Sequence, residues 1–311
     1  MRLIADIGGT NARFAWSSTP GEFSEPVVLQ SNEFETFENA LDAFFSNHPP
    51  PDGVSDAAIA AAGPLQGEEI KLTNSSWLIR CDALRERFET RRIGLLNDFA
   101  AVGHAVPHLT NADMEPIGGK APIRDGTESL LVIGPGTGLG MCLIVPDGRD
   151  GWCINPTEGG HARLALVNRE ERMLFQRSRY LDQAIQAEDI LSGPGLARLH
   201  NALGGPLLEP EAISDAARRG EAPALRTVDA WLNHLARFAA DAVLITGAFG
   251  GVLFVGAIVP GLRRFVQEEA FRATFEGTSR VAGALRETPT AIVHRADLGL
   301  LGLTHIEIPM S

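Results

Sequence analysis

The feature that most constrains the fold of this chain is a short pattern that occurs twice: an apolar run, a glycine-rich turn and a second apolar run. Near the N-terminus, Arg2–Asp6 is followed by the turn Ile7–Thr10 and by the extended pattern of Arg13–Trp16. Between Ser129 and Val145 the same order returns around the turn Gly134–Gly138. Short apolar runs bounded by turns are typical of buried strands. The pattern predicts two β-hairpins of one design, in two related halves that face each other.

The remaining segments alternate between helix and strand patterns, which indicates an α/β fold. The longest predicted helix, Leu225–Ile245, has Val228, Trp231 and Leu235 at helical spacing. No stretch rich in Pro, Gly and Ser is long enough to separate independent modules. The other predicted helices are Phe34–Phe45, Asp82–Phe88 and Ala100–Val106, and the other predicted strands are Asp56–Ala60, Ile93–Leu96 and Gly251–Gly256.

One segment, residues 242–262, has no charged side chain and is long enough to span a bilayer. Several glycines and Pro260 interrupt it, so a helix end, a glycine turn and a buried strand explain it better. We therefore expect no membrane segment.

The composition is that of a globular protein, with 44% hydrophobic and 21% charged residues. The net charge is −12 and no cluster of Lys and Arg stands out, so nucleic acid is not an expected partner. The three cysteines form no C-x-x-C pair, which indicates neither a disulfide framework nor a cysteine zinc site. A reducing compartment fits best, and Asp6 interrupts the N-terminal apolar run too early for a signal peptide. We expect a cytoplasmic protein.

The first glycine-rich turn has the chemistry of a phosphate site. Gly8 and Gly9 let the backbone approach a phosphate and direct N–H groups at it, and Thr10 adds a hydroxyl donor. Asp6 could hold Mg²⁺ through water, because this ion prefers oxygen ligands and keeps several waters. An ordinary hairpin turn with a capping aspartate is the alternative. Neither a Walker A loop nor a G-x-G-x-x-G segment that opens a helix occurs here.

The second turn, Gly134–Gly138, is a weak signal by itself, because glycine-rich hairpin turns are common. It gains weight as the second of two such turns, each at the end of a predicted buried strand. Two turns of this kind could hold a triphosphate from both sides.

Asn97 and Asp98 follow a predicted strand, where catalytic groups of α/β sheets are usually found. A carboxylate at residue 98 could accept the proton of a hydroxyl group that attacks phosphorus. A helix N-cap is the alternative explanation, since Asn and Asp are favoured there.

The segment Glu158–His161 combines a carboxylate, two glycines and an imidazole. Such groups suit a sugar, whose hydroxyls each donate and accept hydrogen bonds. A metal pair at i, i+3 and a surface loop are the alternatives. Glu188 by itself is only an acidic residue in a predicted first helical turn. No G-x-S-x-G segment supports a serine hydrolase.

Taken together, these segments resemble the bacterial glucokinase family, within the actin-like ATPase and sugar-kinase superfamily. The resemblance runs over nearly the whole chain and keeps its order. The matching segments are Ala5–Arg13, Ala62–Pro64, Thr73–Asn74 with Trp77, Leu96–Ala100, Gly134–Gly140, Glu158–His161, Glu188 with Leu191–Gly195, and Gly299–Gly302.

The resemblance implies a two-lobed α/β fold of the actin-like ATPase (ribonuclease H-like) type with a central cleft. A small domain is expected at residues 1–107 and 292–311, and a large domain at residues 108–291. The implied activity is ATP-dependent phosphorylation of D-glucose at the 6-hydroxyl. Family members are often dimers, so a homodimer is expected. A kinase for another hexose and a non-catalytic sugar sensor on the same scaffold are the alternatives.

The resemblance also implies roles for individual residues, with Asp98 as the catalytic base. The residues implied in sugar binding are Asn97, Asp98, Glu158, His161, Glu188 and Gly136. The residues implied in nucleotide binding are Ala5, Asp6, Ile7, Gly8, Gly9, Thr10, Gly136, Thr137, Gly138 and Gly256. Residue 257 is Ala where the family's adenosine-binding turn usually has a second glycine. ATP and Mg²⁺ are expected, and structural zinc is not, because the cysteine-rich motif of the related ROK kinases is absent after His161.

Overall fold

The chain divides into two compact units in the computed structural model, which describes residues 1–50, 53–73, 75–149, 151–167, 169, 171–172, 174 and 184–308. The first unit consists of Met1–Leu109 together with Asp297–Ser311, and the second consists of Thr110–Ala296. The first unit is therefore assembled from two stretches of chain that are separated by the whole of the second.

Strands and helices alternate along the described part of the chain. The strands are β1 Arg2–Ile7, β2 Asn11–Ser17, β3 Val27–Gln30, β4 Asp56–Ala61, β5 Leu65–Gln66, β6 Glu69–Lys71, β7 Leu78–Arg80, β8 Ile93–Asn97, β9 Met114–Ile117, β10 Leu130–Pro135, β11 Leu139–Pro146, β12 Trp152–Thr157, β13 Gly251–Phe254 and β14 Thr290–Val293. The α-helices are α1 Phe37–Asn47, α2 Cys81–Phe88, α3 Asp98–Ala105, α4 Gly193–Ala202, α5 Pro210–Arg218, α6 Ala222–Thr246, α7 Ile258–Leu262, α8 Glu268–Glu276, α9 Ala282–Glu287 and α10 Leu298–His305. Short 3₁₀ helices lie at Ser31–Glu33, Val106–His108, Asn111–Asp113, Gly159–His161 and Arg263–Phe265.

The first unit is built on a five-stranded sheet with the order β3-β2-β1-β4-β8. β1 runs parallel to β4, and β4 runs parallel to β8. All residues of β4 are buried, as is usual for a parallel strand in a sheet covered on both faces. One face packs against Phe37 and Trp77, and the other packs against Leu300 and Leu303 of α10. β5, β6 and β7 form a separate small sheet.

α3 and α10 pack closely against each other in the first unit. A Cβ atom at Gly302 would overlap the carbonyl oxygen of Ala101, so the approach of the two helices requires glycine here. At the C-terminal end of α10, the Arg2 guanidinium donates to the carbonyl oxygens of Leu303 and Ile306 over 3.2 and 3.0 Å. These contacts satisfy carbonyl groups that have no partner within the helix.

The second unit is built on a six-stranded sheet with the order β12-β11-β10-β13-β14-β9. β10, β13 and β14 are parallel, and the outer strands are antiparallel to their neighbours. The long helix α6 contributes Trp231 to the core, where its indole N–H donates to the carbonyl of Ile190 over 2.8 Å.

Both predicted hairpins are confirmed, since β1 pairs with β2 and β10 pairs with β11 in antiparallel register. The second turn is shorter than predicted, because β10 continues to Pro135 and leaves only Gly136–Gly138 in the turn. The segment 242–262 is divided by Gly247, which ends α6 with a φ of 72°. Within the described residues, no helix combines the length and the apolar character needed to cross a membrane.

Two predicted helix starts were wrong, and a capping residue explains each. The helix predicted from Phe34 begins at Phe37, because the Thr36 side chain accepts a hydrogen bond from the Asn39 N–H and caps it there. The helix predicted from Ala100 begins at Asp98, with Asn97 as the cap.

Candidate active site

The first glycine turn, Gly8–Thr10, follows β1 in the first unit. The Gly8 N–H donates to the Asn11 carbonyl over 2.9 Å, and the Ser31 N–H donates to the Thr10 carbonyl over 2.9 Å. The Ser31 hydroxyl also reaches the Gly8 carbonyl at 3.3 Å. Among the described residues, the N–H groups of Gly9 and Thr10 have no acceptor. The turn is thus fixed by its neighbours while two amide donors stay available for an anion.

Asp6 is the acidic residue beside this turn, and its side chain is 19% exposed. Burial raises the pKa of Asp6, and Arg13, whose Nη1 lies 3.8 Å from Oδ2, acts in the opposite direction. A Cβ atom at Gly299 would lie 2.8 Å from the Asp6 carboxylate carbon. Glycine at residue 299 therefore lets the start of α10 approach this carboxylate.

Asp98 lies at the same edge of the sheet as the first glycine turn. The pairing places Ile7 beside Ala61 and Ala61 beside Asn97, so the three strands end in one row. Adjacent strands lie about 4.8 Å apart, which separates Ile7 from Asn97 by roughly 10 Å. The turn and Asp98 each follow directly after that row.

The cap of α3 is supplied mainly by Asn97 and not by Asp98. The Asn97 Oδ1 accepts a hydrogen bond from the Phe99 N–H over 2.9 Å, and its Nδ2 lies 3.4 Å from the Gly63 carbonyl. Asp98 is the first helical residue, and its Oδ1 also lies 3.0 Å from the Phe99 N–H. The capping explanation therefore applies to the residue before the proposed base.

The segment Gly299–Gly302 links Asp6 to the helix that begins with Asp98. Gly299 contacts the Asp6 carboxylate, and Gly302 contacts the backbone of α3, which begins with Asp98. Both contacts depend on glycine, because a Cβ atom at either residue would overlap or crowd its neighbour. α10 thereby fixes Asp6 and the helix of Asp98 with respect to each other.

The second glycine turn, Gly136–Gly138, joins β10 to β11 in the second unit. The Gly136 N–H donates to the Gly138 carbonyl over 2.8 Å, and the Gly193 N–H at the start of α4 donates to the Gly136 carbonyl over 2.8 Å. Among the described residues, the N–H groups of Thr137 and Gly138 have no acceptor. Like the first turn, this turn has two amide donors available.

Glu188 contacts the second glycine turn directly. Its Oε2 accepts a hydrogen bond from the Leu139 N–H over 2.8 Å, and a Cβ atom at Gly138 would lie 2.5 Å from the same oxygen. The Glu188 N–H donates to the Gly160 carbonyl over 2.9 Å. Glu188 precedes α4 and is not part of a helix, so its expected place in a first helical turn was wrong.

The segment Glu158–His161 includes one 3₁₀ turn that packs on β11. Cβ atoms at Gly159 and Gly160 would overlap Met141 and the Leu139 carbonyl, which explains both glycines. The Glu158 and His161 side chains are 77% and 53% exposed, with 3.7 Å between Oε2 and Nε2. Among the described residues, no cluster of three or more His, Cys, Asp or Glu side chains could hold a metal ion.

His161 is oriented by Gln186, whose Oε1 lies 3.0 Å from Nδ1. This hydrogen bond raises the pKa of His161, and the nearby carboxylates of Glu188, Glu158 and Asp189 add to the effect. The imidazole therefore accepts a proton more readily than a free histidine. With Nδ1 bound to Gln186, Nε2 is the nitrogen that can meet a ligand.

The comparisons with known proteins agree across the chain. The protein-family model for glucokinase matches residues 3–308. The glucokinase of Ralstonia nicotianae is 34% identical over an alignment of 321 positions. The alignment covers 97% of this chain and 93% of that protein. This chain belongs to the glucokinase family.

Solved structures of glucokinases share the fold. The crystal structure of a glucokinase from an Antarctic psychrotroph is 28% identical, has a TM-score of 0.84 and is matched over 97% of both chains. A glucokinase from Balamuthia mandrillaris, solved in complex with glucose, has a TM-score of 0.82 at 21% identity, with 98% of this chain and 92% of that chain covered. The predicted α/β fold of the actin-like ATPase type is confirmed.

Gly256 and Ala257 follow β13, beside the end of β10. Gly256 has a φ of 87°, and a Cβ atom there would lie 3.1 Å from the Pro135 carbonyl oxygen, so residue 256 must be glycine. Ala257 has φ −89° and ψ −25°, which any L-residue adopts. The departure from the glucokinase pattern at residue 257 therefore leaves the backbone of this turn unstrained.

The structure brings the candidate residues into two groups, one in each unit. The first unit holds Ala5–Thr10, Asn97 and Asp98 at one sheet edge, and the second holds Gly136–Gly138 in contact with Glu188. Ser31 and Gln186, which fix the first turn and His161, were missed. Their partners are distant in sequence, and neither residue belongs to a glucokinase motif quoted above. Asn74, from a matching segment, lies outside the described residues.

Proposed function

We propose that this chain is an ATP-dependent glucokinase that transfers the γ-phosphoryl group of ATP to the 6-hydroxyl of D-glucose. The products are glucose 6-phosphate and ADP, which feed glycolysis in the cytoplasm. The observation that supports it most is the sheet edge of the first unit, where a glycine turn with two available amide donors and the carboxylate of Asp98 follow one row of residues. Membership of the glucokinase family gives this arrangement its substrates.

Asp98 acts as the general base in this proposal. Its carboxylate accepts the proton of the 6-hydroxyl while that oxygen attacks the γ-phosphorus and the bond to the β-phosphate oxygen breaks. The N–H groups of Gly9, Thr10, Thr137 and Gly138 neutralise negative charge on the phosphates. Phosphoryl transfer asks little covalent work of the protein, so positioning and charge stabilisation supply most of the rate.

Mg²⁺ would enter with ATP, with Asp6 as its protein contact through water. One partly buried carboxylate beside a phosphate turn fits a cation that keeps most of its waters and binds mainly to the nucleotide. The ion would neutralise charge on the phosphates. Burial raises the pKa of Asp6, and Arg13, close to Asp6, opposes part of that increase and so favours the ionised carboxylate that such a contact needs.

The sugar hydroxyls are assigned to Asn97, Glu158, His161, Glu188 and the backbone of Gly136. Exposed carboxylate and imidazole groups can each make hydrogen bonds to neighbouring hydroxyls. Gly256 is assigned to the adenosine. A homodimer is proposed only because members of the family are often dimers.

ADP production with a panel of hexoses tests the proposal. ATP with glucose should give the highest kcat/KM, ATP without sugar should give little ADP, and mannose, fructose and glucosamine should react more slowly. A second enzyme specific for glucose 6-phosphate identifies the product. Highest activity with another hexose would change the substrate, and glucose binding without ADP production would indicate a sugar sensor instead.

A further inference from the structure

Glu188, which is assigned to the sugar, also makes a hydrogen bond within the protein. One carboxylate oxygen, Oε2, is committed to the Leu139 N–H at 2.8 Å, at the end of the second glycine turn. The other oxygen, Oε1, has no hydrogen-bond partner among the described residues. A carboxylate used in this way can hold the turn with one oxygen and meet a ligand with the other.

The chain around Glu188 contacts the turn at its other end as well. The Ser192 hydroxyl donates to the Glu188 carbonyl over 2.8 Å and accepts from the Gly195 N–H over 3.0 Å. The next residue, Gly193, donates its N–H to the Gly136 carbonyl over 2.8 Å. The segment 188–193 therefore binds the second glycine turn at its first residue and directly after its last.

The same segment also binds the turn that carries the proposed sugar ligands. The Glu188 N–H donates to the Gly160 carbonyl over 2.9 Å, and the Ala187 N–H donates to the Ala162 carbonyl over 2.8 Å. The lack of space at Gly160 keeps this segment against Leu139. Glu188 thus contacts both the second glycine turn and the segment Glu158–His161. Within its carboxylate, Oε2 binds the end of the turn and Oε1 is available to a ligand.

We propose that Glu188 is a positioning residue of the second glycine turn, through which a sugar hydroxyl and the nucleotide phosphates favour each other's binding. This inference rests on the proposed function, because that function assigns the N–H groups of Thr137 and Gly138 to phosphate. The carboxylate holds these donors in place before any sugar binds. A hydroxyl on Oε1 then orders the carboxylate further, and because coupling between two ligands is reciprocal, nucleotide binding must raise sugar affinity by the same factor.

The test compares variants by the Kd of Mg-ADP, measured by titration calorimetry without sugar and with saturating glucose. Glu188→Met removes the acceptor at similar side-chain length, and Glu188→Gln keeps an acceptor oxygen for the Leu139 N–H. Glu269→Met is the control, because Glu269 is exposed on α8 of the same unit and has no assigned role in sugar or nucleotide binding. The melting temperature of each variant reports on the fold.

Without sugar, Glu188→Met should weaken Mg-ADP binding about tenfold, the scale expected for a lost hydrogen bond to a charged group. Glu188→Gln should stay within about threefold of the native protein, and Glu269→Met should be unchanged. The native protein should bind Mg-ADP more tightly with glucose than without it, and Glu188→Met should lose this difference.

Native Mg-ADP affinity in a folded Glu188→Met variant would overturn the inference and leave Glu188 as a sugar ligand only. If Glu188→Met does not fold, Gly138→Ala decides, because its Cβ would force Oε2 away from the Leu139 N–H. Gly138→Ala should then bind Mg-ADP more weakly, and native affinity would again overturn the inference. Failure of the native protein to bind Mg-ADP or to phosphorylate any hexose would instead contradict the proposed function.

Discussion

Each of the two glycine turns offers two amide donors, but the turns are held in different ways. The first is fixed by uncharged groups, namely its own backbone and Ser31. The second is fixed by the carboxylate of Glu188 and by the N–H of Gly193. A turn held by backbone contacts keeps its shape whatever binds nearby, whereas a carboxylate with one free oxygen can respond to a ligand. A glycine turn can thus be held by backbone and hydroxyl groups in one unit and by a side-chain carboxylate in the other.

The residues around the two turns also differ, in packing and in charge. The first unit relies on close packing of glycines in α10 against Asp6 and α3. The second unit presents exposed polar side chains, and its His161 has a raised pKa because of Gln186 and nearby carboxylates. Changes in packing should therefore affect the first unit most, and changes in charge should affect the second.

The largest expected effect is that of Asp98→Asn, which should lower kcat about a hundredfold or more, the usual scale for a lost general base. Glucose KM should change much less, because the amide still forms hydrogen bonds. Steady-state kinetics with a coupled assay measure both values. Near-normal turnover would contradict the assignment of the general base to Asp98 in the first unit.

Gly302→Ala should be the next largest, because the new Cβ would overlap the backbone of Ala101 and push α10 away from α3. We expect a loss of about 1–3 kcal/mol in the free energy of unfolding, measured by urea titration. Gly283→Ala is the control, since nothing lies within 4 Å of its Cβ. It should be neutral or slightly stabilising in α9. Equal stability of the two variants would show that the first unit does not depend on this packing.

Glu158→Gln and His161→Ala should raise the KM for glucose more than the KM for ATP, and should leave the melting temperature nearly unchanged. Both side chains are exposed, so their loss removes contacts to a ligand and little packing. Initial rates over a grid of both substrates separate the two constants. A larger change in the KM for ATP would move these residues out of the proposed sugar site.

Acidification should destabilise the protein moderately. Burial lowers the pKa of His104, His108 and His305, and the rings of His108 and His305 stack at 3.4 Å. Burial also lowers the pKa of His200, and it lowers that of His234 to about 4. The unfolded chain then binds protons at a higher pH than the folded chain, so stability present above about pH 6.5 is lost as the pH falls. The melting temperature should fall from pH 7.5 to pH 5.5, and less steeply in His108→Gln. An equal slope in that variant would exclude the stacked pair as a source.

Ser31→Ala should have the smallest effect. It removes one hydrogen bond of 3.3 Å to the Gly8 carbonyl, while the Ser31 N–H still donates to Thr10. We expect a loss of about 0.5–1 kcal/mol in stability and a change of less than about threefold in Mg-ADP affinity. Calorimetry of the variant measures both. A tenfold loss of affinity would mean that the first turn depends on a side chain as strongly as the second.

The hairpins and the parallel strands were predictable, because apolar runs and glycine turns are local signals that burial reinforces. The start of α3 was harder, because both Asn97 and Asp98 are good capping residues and only the folded backbone decides between them. The contacts of Glu188 could not be predicted from spacing, since its partner Leu139 is 49 residues away. The same holds for Gly299 and Gly302, whose need for glycine arises from tertiary neighbours.

The first unit is built from two separate stretches of chain, and this affects how the protein folds during synthesis. Translation delivers Asp6, Asp98 and then the entire second unit before α10 leaves the exit tunnel. Until then the sheet of the first unit lacks Leu300 and Leu303 on one face. The strands of the first unit are therefore made before the second unit and completed after it, so Asp6 and Asp98 acquire their packed surroundings only once α10 has emerged.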